Sequence, residues 1–298
     1  MTAKPTVGWI GLGKLGLPIA TRIAEAGYQV TGDDAVAARL GLARERGIIP
    51  APNLEAAAAR DIVFTCLPDD KALLGATLGD AGLLAAMRAD AIYVEASTVS
   101  PEASAEVAAA AQPLGIAYLR LPVSGNASIA HTGNLTCFAS GPRAAFDAVQ
   151  PVLTAFTRAQ LYLGEADEAR YAKLAVNLML AATAVMMGES LALARRGNIG
   201  WRDMLNVLSD SAAASPMVKY KVGPLAERDF SSTFSCHQMA KDLDLILGAA
   251  RSAGVPMPLT ALTRETYAAI IGMGGGEDDF IAPVRHSERL AGLGEPTD

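Results

Sequence analysis

The chain has 298 residues, 51 % of them hydrophobic, and a formal net charge of −6, enough length for one large or two ordinary domains around a sizeable core. The acidic balance, with no cluster of Lys and Arg on one face, excludes a nucleic-acid footprint. Three scattered cysteines, Cys66, Cys137 and Cys236, exclude a disulfide framework, and three distant histidines, His131, His237 and His286, leave no metal site.

The N-terminal residues run straight into a strand, without the basic, apolar and small-residue order of a signal peptide. A short apolar strand at residues 7–10 leads into Gly11-Leu12-Gly13-Lys14-Leu15-Gly16, and a helix follows over residues 17–26. This is GxGxxG between a strand and a helix. Gly11 permits the tight turn, Gly13 lets the backbone approach a pyrophosphate, and Gly16 allows close helix–strand packing. The helix N-terminus would receive the phosphate on its free N–H groups. Taken alone, the motif is as well explained by glycines that end a strand.

A second strand, residues 28–31, ends at Gly32-Asp33-Asp34. An acidic residue just over twenty positions past the first glycine is where a ribose 2′-hydroxyl partner belongs. Asp34 takes that role here, with Asp33 its alternative. No Arg or Lys follows until Arg39, and the carboxylate would repel a 2′-phosphate, so NAD is expected over NADP. The alternation continues with helices at residues 54–59, 83–87, 101–113 and 142–156. Strands are expected at residues 62–66, 91–95, 117–120, 135–139 and 160–163. Ligands bind at the C-terminal edge of such a sheet, so Leu67, Pro68 and Thr98 are expected to line the cofactor groove. Ser124 and Gly125, after Pro122-Val123, offer a hydroxyl and backbone N–H groups suited to a carboxylate; a plain Ser-Gly turn accounts for them as well.

Residues 164–197 read as one long helix of roughly 45 Å, acidic in its first turn and basic in its last. Between residues 174 and 188 only Asn177 and Thr183 carry polar side chains, so the helix is expected to be buried nearly all round. That run falls short of the ~20 residues a membrane span requires. Lys173 enters its start, and Asn177 lies one turn further on the same face. Downstream, helices are expected at residues 201–209, 217–225, 238–253 and 259–271, with a glycine-rich acidic turn near the surface at residues 272–279. The chain is therefore expected to comprise an α/β Rossmann domain, residues 1–163, and an all-helical domain, residues 164–298, joined through the long helix. It is expected to be cytoplasmic, with no membrane or nucleic-acid partner.

Gly11-Leu12-Gly13-Lys14-Leu15-Gly16, Pro122-Val123-Ser124-Gly125, Lys173 with Asn177, and Lys241-Asp242-Leu243 together resemble the β-hydroxyacid dehydrogenase family. That family includes 3-hydroxyisobutyrate dehydrogenase and tartronate semialdehyde reductase. The likeness covers nearly the whole chain, in order. It implies a homodimer or homotetramer, Lys173 as the catalytic lysine, Asn177 as a substrate-orienting residue, and Ser124 with Gly125 as the substrate-binding turn. It also implies that Lys241 reaches toward nicotinamide and substrate. The chain departs from the family at Arg120 and Leu121, where Asp-Ala is usual, and at Asn126, where a second glycine is usual. Leu15 stands for a common methionine, a volume-conserving change.

Oxidising an alcohol requires hydride acceptance by nicotinamide and removal of the hydroxyl proton, and burial beside another cation is what equips a lysine for the second task. The expected substrate is a small anion with a hydroxyl one carbon removed from its acid group: a β-hydroxy acid, a β-hydroxy amino acid or a sulfonate analogue. Asn126, Met179, Ser211 and His237 are candidates for tuning the choice. An imine reductase on the same architecture, a decarboxylating sugar-phosphate dehydrogenase and a non-catalytic nucleotide-sensing scaffold are the alternatives. Lys173 weighs against the first, chain length against the second, and the full residue set against the third.

Overall fold

The computed structural model describes residues 4–296, and the chain divides into two compact units, Met1–Lys173 and Leu174–Asp298. In the first unit, strands and helices alternate as β1 (Val7–Ile10), α1 (Gly16–Glu25), β2 (Val30–Asp33), α2 (Ala37–Glu45), β3 (Ile49–Pro50), α3 (Leu54–Ala58) and β4 (Ile62–Thr65). They continue with α4 (Asp70–Thr77), α5 (Leu83–Ala86), β5 (Ile92–Glu95), α6 (Pro101–Ala111), β6 (Ala117–Arg120), β7 (Val123–Ser124) and α7 (Ala127–His131). β8 (Leu135–Ser140), α8 (Arg143–Leu153) and β9 (Thr157–Gly164) complete the sheet unit. The strand order is β3-β2-β1-β4-β5-β6-β8-β7, with β9 on β8. Pairing is parallel from β3 to β6, and β8 runs antiparallel to β6 and β7.

Side chains alternate across a strand, and here each face feeds its own core. Val7, Trp9, Ile62, Phe64, Val94 and Leu119 pack with Ile19 and Ile23 of α1 and Val149 and Val152 of α8. Ile10, Val63, Tyr93 and Tyr118 pack on the other side with Ala57 of α3 and Val107 and Ala111 of α6. Trp9 stacks on Phe64 at 5.1 Å between ring centroids. Burial on both faces is why these strands read as near-continuous apolar runs.

The second unit is helical. It takes up α9 (Glu168–Arg196) from Leu174 onward, then α10 (Trp201–Asp210), α11 (Pro216–Ala226), α12 (Cys236–Ser252), α13 (Pro258–Gly272) and α14 (Pro283–Leu290). Leu174, Ala181, Ala184, Met187 and Leu191 of α9 join Trp201, Leu205, Leu243, Ile246, Tyr267 and Ile281 in one core. The expectation that α9 is buried all round does not hold for the chain by itself. Met179, Met186 and Leu193, seven residues apart, are exposed. Among the described residues α9 is the one helix long and apolar enough to cross a membrane, and 44 % of its most apolar window is buried. The acidic turn expected at the surface is also corrected in part: Asp279 is buried, accepting a hydrogen bond from Lys221 Nζ at 2.6 Å and another from the Ile281 N–H at 3.1 Å.

Candidate active site

The glycine loop is shaped by close approach. Gly11 has φ +94°, and a Cβ there would meet the Cys66 carbonyl oxygen at 2.3 Å, so only glycine fits. A Cβ on Gly16 would meet the Gly11 carbonyl oxygen at 2.0 Å, and that same carbonyl accepts a hydrogen bond from Trp9 Nε1 at 2.9 Å. A Cβ built on Gly13 would meet, among the described residues, only Arg39 Nη1, at 4.0 Å, so that side of the backbone is open to a ligand. α1 begins without a side-chain cap and without an acidic residue in its first turn. The Leu17 N–H already donates to the Gly13 carbonyl at 3.1 Å, but among the described residues no acidic side chain of that turn opposes an anion, so these residues fit a dinucleotide pyrophosphate. Lys14 is exposed on this loop, and Leu12 is buried beneath it.

Asp34 is joined to that loop. Its Oδ2 accepts the Leu12 N–H at 2.7 Å and its Oδ1 accepts the Val36 N–H at 2.8 Å. Arg39, on α2, pairs with the same carboxylate. Burial, and to a lesser degree the adjacent Asp34 charge, pushes the neighbouring Asp33 carboxyl up from its ordinary value, partly offset by a backbone hydrogen bond from Asp34.

At the C-terminal ends of β4 and β5, the Leu67 N–H donates to Ser97 Oγ at 2.7 Å and the Ser97 N–H donates to Glu95 Oε1 at 2.7 Å. Leu67 and Thr98 are half-buried here, and Pro68 is exposed. Glu95 in turn accepts from Arg170 Nη2. Arg170 also donates from Nη1 to the Ser97 carbonyl at 2.9 Å and from Nε to Ser104 Oγ at 3.1 Å. The turns that carry Leu67 and Thr98 are thus tied to the first turn of α9. Burial works against the Arg170 charge, and Glu95 and Tyr118 beside it more than restore it, so its pKa is raised. Arg120, one of the departures from the family pattern, donates to Asp167 Oδ1 at 2.5 Å and to Ser104 Oγ at 3.2 Å.

Ser124 lies in β7, paired with Thr136 of β8, so it belongs to a strand rather than a free turn. Gly125 has φ +131°, and a Cβ there would meet Leu135 Cδ2 at 2.5 Å. Asn126, expected near substrate, caps α7: its Oδ1 accepts the Ile129 N–H at 3.1 Å.

Lys173 is only 9 % exposed and sits on α9 three residues past Arg170. Asn177, one turn on, is 3 % exposed. Its Nδ2 donates to Asp242 Oδ2 at 2.5 Å, while its buried Oδ1 has no hydrogen-bond partner among the described residues. Asp242, fully buried on α12, also lies 2.8 Å through Oδ1 from Lys241 Nζ. Asp242 therefore joins two of the expected site residues. Among the remaining substrate-tuning candidates, Met179 and His237 are exposed and Ser211 is half-buried, with Ser211 Oγ donating to the Leu208 carbonyl at 3.3 Å.

The sequence motifs give no role to Asp242, Arg39 or Ser97. Asp242 had a readable signal: it stands among Cys236, Met239, Ala240, Leu243 and Ile246 on the buried stripe of α12, where a lone carboxylate demands a partner. Arg39 had none, because α2 is exposed along most of its length.

Residues 6–164 match the family described as the NAD binding domain of 6-phosphogluconate dehydrogenase. Residues 168–287 match the one described as the NAD-binding of NADP-dependent 3-hydroxyisobutyrate dehydrogenase. An uncharacterised oxidoreductase of Shewanella frigidimarina is 32 % identical over 95 % of this chain and 98 % of its own length. A 2-(hydroxymethyl)glutarate dehydrogenase of Eubacterium barkeri is 29 % identical over 96 % of each chain. The Mycobacterium tuberculosis 3-hydroxyisobutyrate dehydrogenase, solved with L-serine, superposes with a TM-score of 0.85 at 26 % identity, covering 95 % of this chain and 99 % of that one. With its Rossmann unit and its helical unit both matched in order, the chain belongs to the β-hydroxyacid dehydrogenase family of NAD(P)-binding oxidoreductases.

Proposed function

We propose that this protein transfers a hydride between NAD and a small β-hydroxy acid or β-hydroxy amino acid, with Lys173 as general acid and base. The nicotinamide supplies the hydride chemistry when bound. In oxidation Lys173 Nζ takes the hydroxyl proton; in reduction it returns one to the carbonyl oxygen. Ser124 and Gly125 hold the substrate's acid group, and Lys241 adds positive charge for an anion. Gly11, Leu12, Gly13, Lys14, Leu15, Gly16, Asp34, Leu67, Pro68, Thr98 and Lys241 are the cofactor-binding residues of this reading.

The observation that carries the reading is the buried Asn177 Oδ1 without a partner, on the same helix face as the buried Lys173. An unpaired acceptor in a buried place is costly unless a ligand supplies the donor. One amide N–H of Asn177 is committed to Asp242. Its carbonyl therefore suits the donor side of a substrate, a hydroxyl or an ammonium group, better than a carboxylate. Asp242 is a positioning residue here, fixing the Asn177 amide and the Lys241 ammonium together. The exposed stripe of Met179, Met186 and Leu193 supports assembly as a homodimer or homotetramer, and a cytoplasmic location belongs to the same proposal.

The test is NAD reduction, followed at the nicotinamide absorbance band, across β-hydroxy acids, β-hydroxy amino acids and β-hydroxy sulfonates. Turnover on one of these classes is expected. Lys173→Ala should lower it by at least about 100-fold while leaving NAD affinity nearly unchanged. Equal loss of turnover and of NAD binding would remove Lys173 from the chemistry.

A further inference from the structure

Arg39 lies outside every motif quoted for the family, yet it occupies the carboxylate that sets cofactor choice. Asp34, whose side chain is 4 % exposed, is held by two backbone donors, the Leu12 N–H at 2.7 Å and the Val36 N–H at 2.8 Å. One lone-pair direction remains on each oxygen. Arg39 Nη1 stands 3.2 Å from both. Those are the acceptors that a ribose 2′- and 3′-hydroxyl pair would use. The guanidinium also lies along the glycine loop, 4.0 Å from the Cβ position of Gly13. It is therefore at the adenosine-ribose end of the site and not on a remote surface.

We propose that Arg39 is a cofactor-specificity residue, which gives the chain a usable affinity for NADP beside NAD. The proposal rests on the reading of the glycine loop as a nicotinamide dinucleotide site. Two effects act in the same direction. Arg39 neutralises the Asp34 charge that would otherwise repel a 2′-phosphate. It also brings a planar fork of donors, of which Nη1 alone serves Asp34, to the place where that phosphate belongs. The Arg39 side chain is 45 % exposed, so its ion pair with Asp34 is weak and exchanges readily. Without a 2′-phosphate, Arg39 yields the Asp34 acceptors to the ribose hydroxyls and competes with them mildly. With one, it has a stronger partner. The NAD preference expected from Asp34 is thereby narrowed.

The experiment is equilibrium titration of NADH and NADPH, read by nicotinamide fluorescence, on the full-length protein and on Arg39→Ala and Arg39→Lys. The unaltered protein is expected to bind both. In Arg39→Ala, NADPH affinity should fall by at least about tenfold, while NADH affinity stays level or rises by up to about fivefold as the competitor is removed. Arg39→Lys should fall between, because a point charge replaces a fork. The NADPH difference should shrink at high ionic strength, as expected for a screened surface charge. Equal changes for the two cofactors in Arg39→Ala, or no loss of NADPH affinity, overturns the role of Arg39 and leaves the glycine-loop reading standing. Failure of the unaltered protein to bind either cofactor overturns that reading and the proposal with it.

Discussion

Each unit buries a carboxylate completely, Glu95 in the sheet unit and Asp242 in the helical one, and their surroundings differ. Around Glu95 the network is closed. Its Oε1 takes the Ser97 N–H and its Oε2 takes Arg170 Nη2, which also reaches Tyr118 Oη, while Arg170 Nη1 reaches the Ser97 carbonyl and Nε reaches Ser104 Oγ. Around Asp242 the network is open. Among the described residues it meets the Asn177 amide, whose own oxygen lacks a donor there, and the partly exposed Lys241. A satisfied buried network stiffens a scaffold, and a partly satisfied one pays for its vacancy unless something else completes it. On the proposed function, the difference separates a brace from a site, although both look alike as buried charges.

The largest effect should come from opening the closed network. Glu95→Gln leaves the Arg170 guanidinium buried without its counter-charge, and the expected cost is about 3–5 kcal/mol in denaturant unfolding. A loss below about 1 kcal/mol would mean that Ser97, Ser104 and Tyr118 alone satisfy Arg170, and the brace would have to be redrawn. Asp242→Asn should behave in the opposite way. The substitution keeps the volume and an acceptor for Asn177 but removes the charge beside Lys241, so kcat should fall by about 100-fold while the unfolding midpoint moves little. The discriminating readout is the split between kcat and the dinucleotide dissociation constant. If both worsen equally, or if stability drops as far as in Glu95→Gln, then Asp242 is a brace too.

Much of this architecture is legible in the chain. β1, β4, β5 and β6 are apolar on both faces and announce a doubly covered sheet, and the glycine loop declares itself by spacing. What stayed hidden has physical reasons. α2 buries only Ala43 and carries Gly41 mid-helix, so no apolar period reveals it or the place of Arg39. α4 follows Pro68-Asp69-Asp70, which reads as a turn, yet Asp69 is its N-cap and accepts the Ala72 N–H at 2.8 Å. α7 hides behind Asn126, read as a substrate contact because of where it departs from the family. α14 looks polar, but its Glu288 is buried and paired with Arg195 of α9 and with Arg228 of the turn after α11, so its polar residues include a buried anchor. The partners of buried charges are contacts distant in sequence, and composition does not disclose them.

The smallest effect expected is at the start of the helix that carries Asp242. Ser235 caps α12: its Oγ accepts the Gln238 N–H at 3.3 Å, and its own N–H donates to Gln238 Oε1 at 2.9 Å. Ser235→Ala removes the first of these bonds and should cost about 1 kcal/mol of stability. Asp242 lies seven residues further on, held by Asn177 and by core contacts of Leu243 and Ile246, so fraying at the cap should not reach it. Ser235→Ala is therefore expected to lower the unfolding free energy while kcat and KM stay at their original values. Set beside Asp242→Asn, it gives the reverse pattern on the same helix. A fall in kcat on Ser235→Ala would show that the orientation of Asp242 depends on the whole helix and not on the local contacts around it.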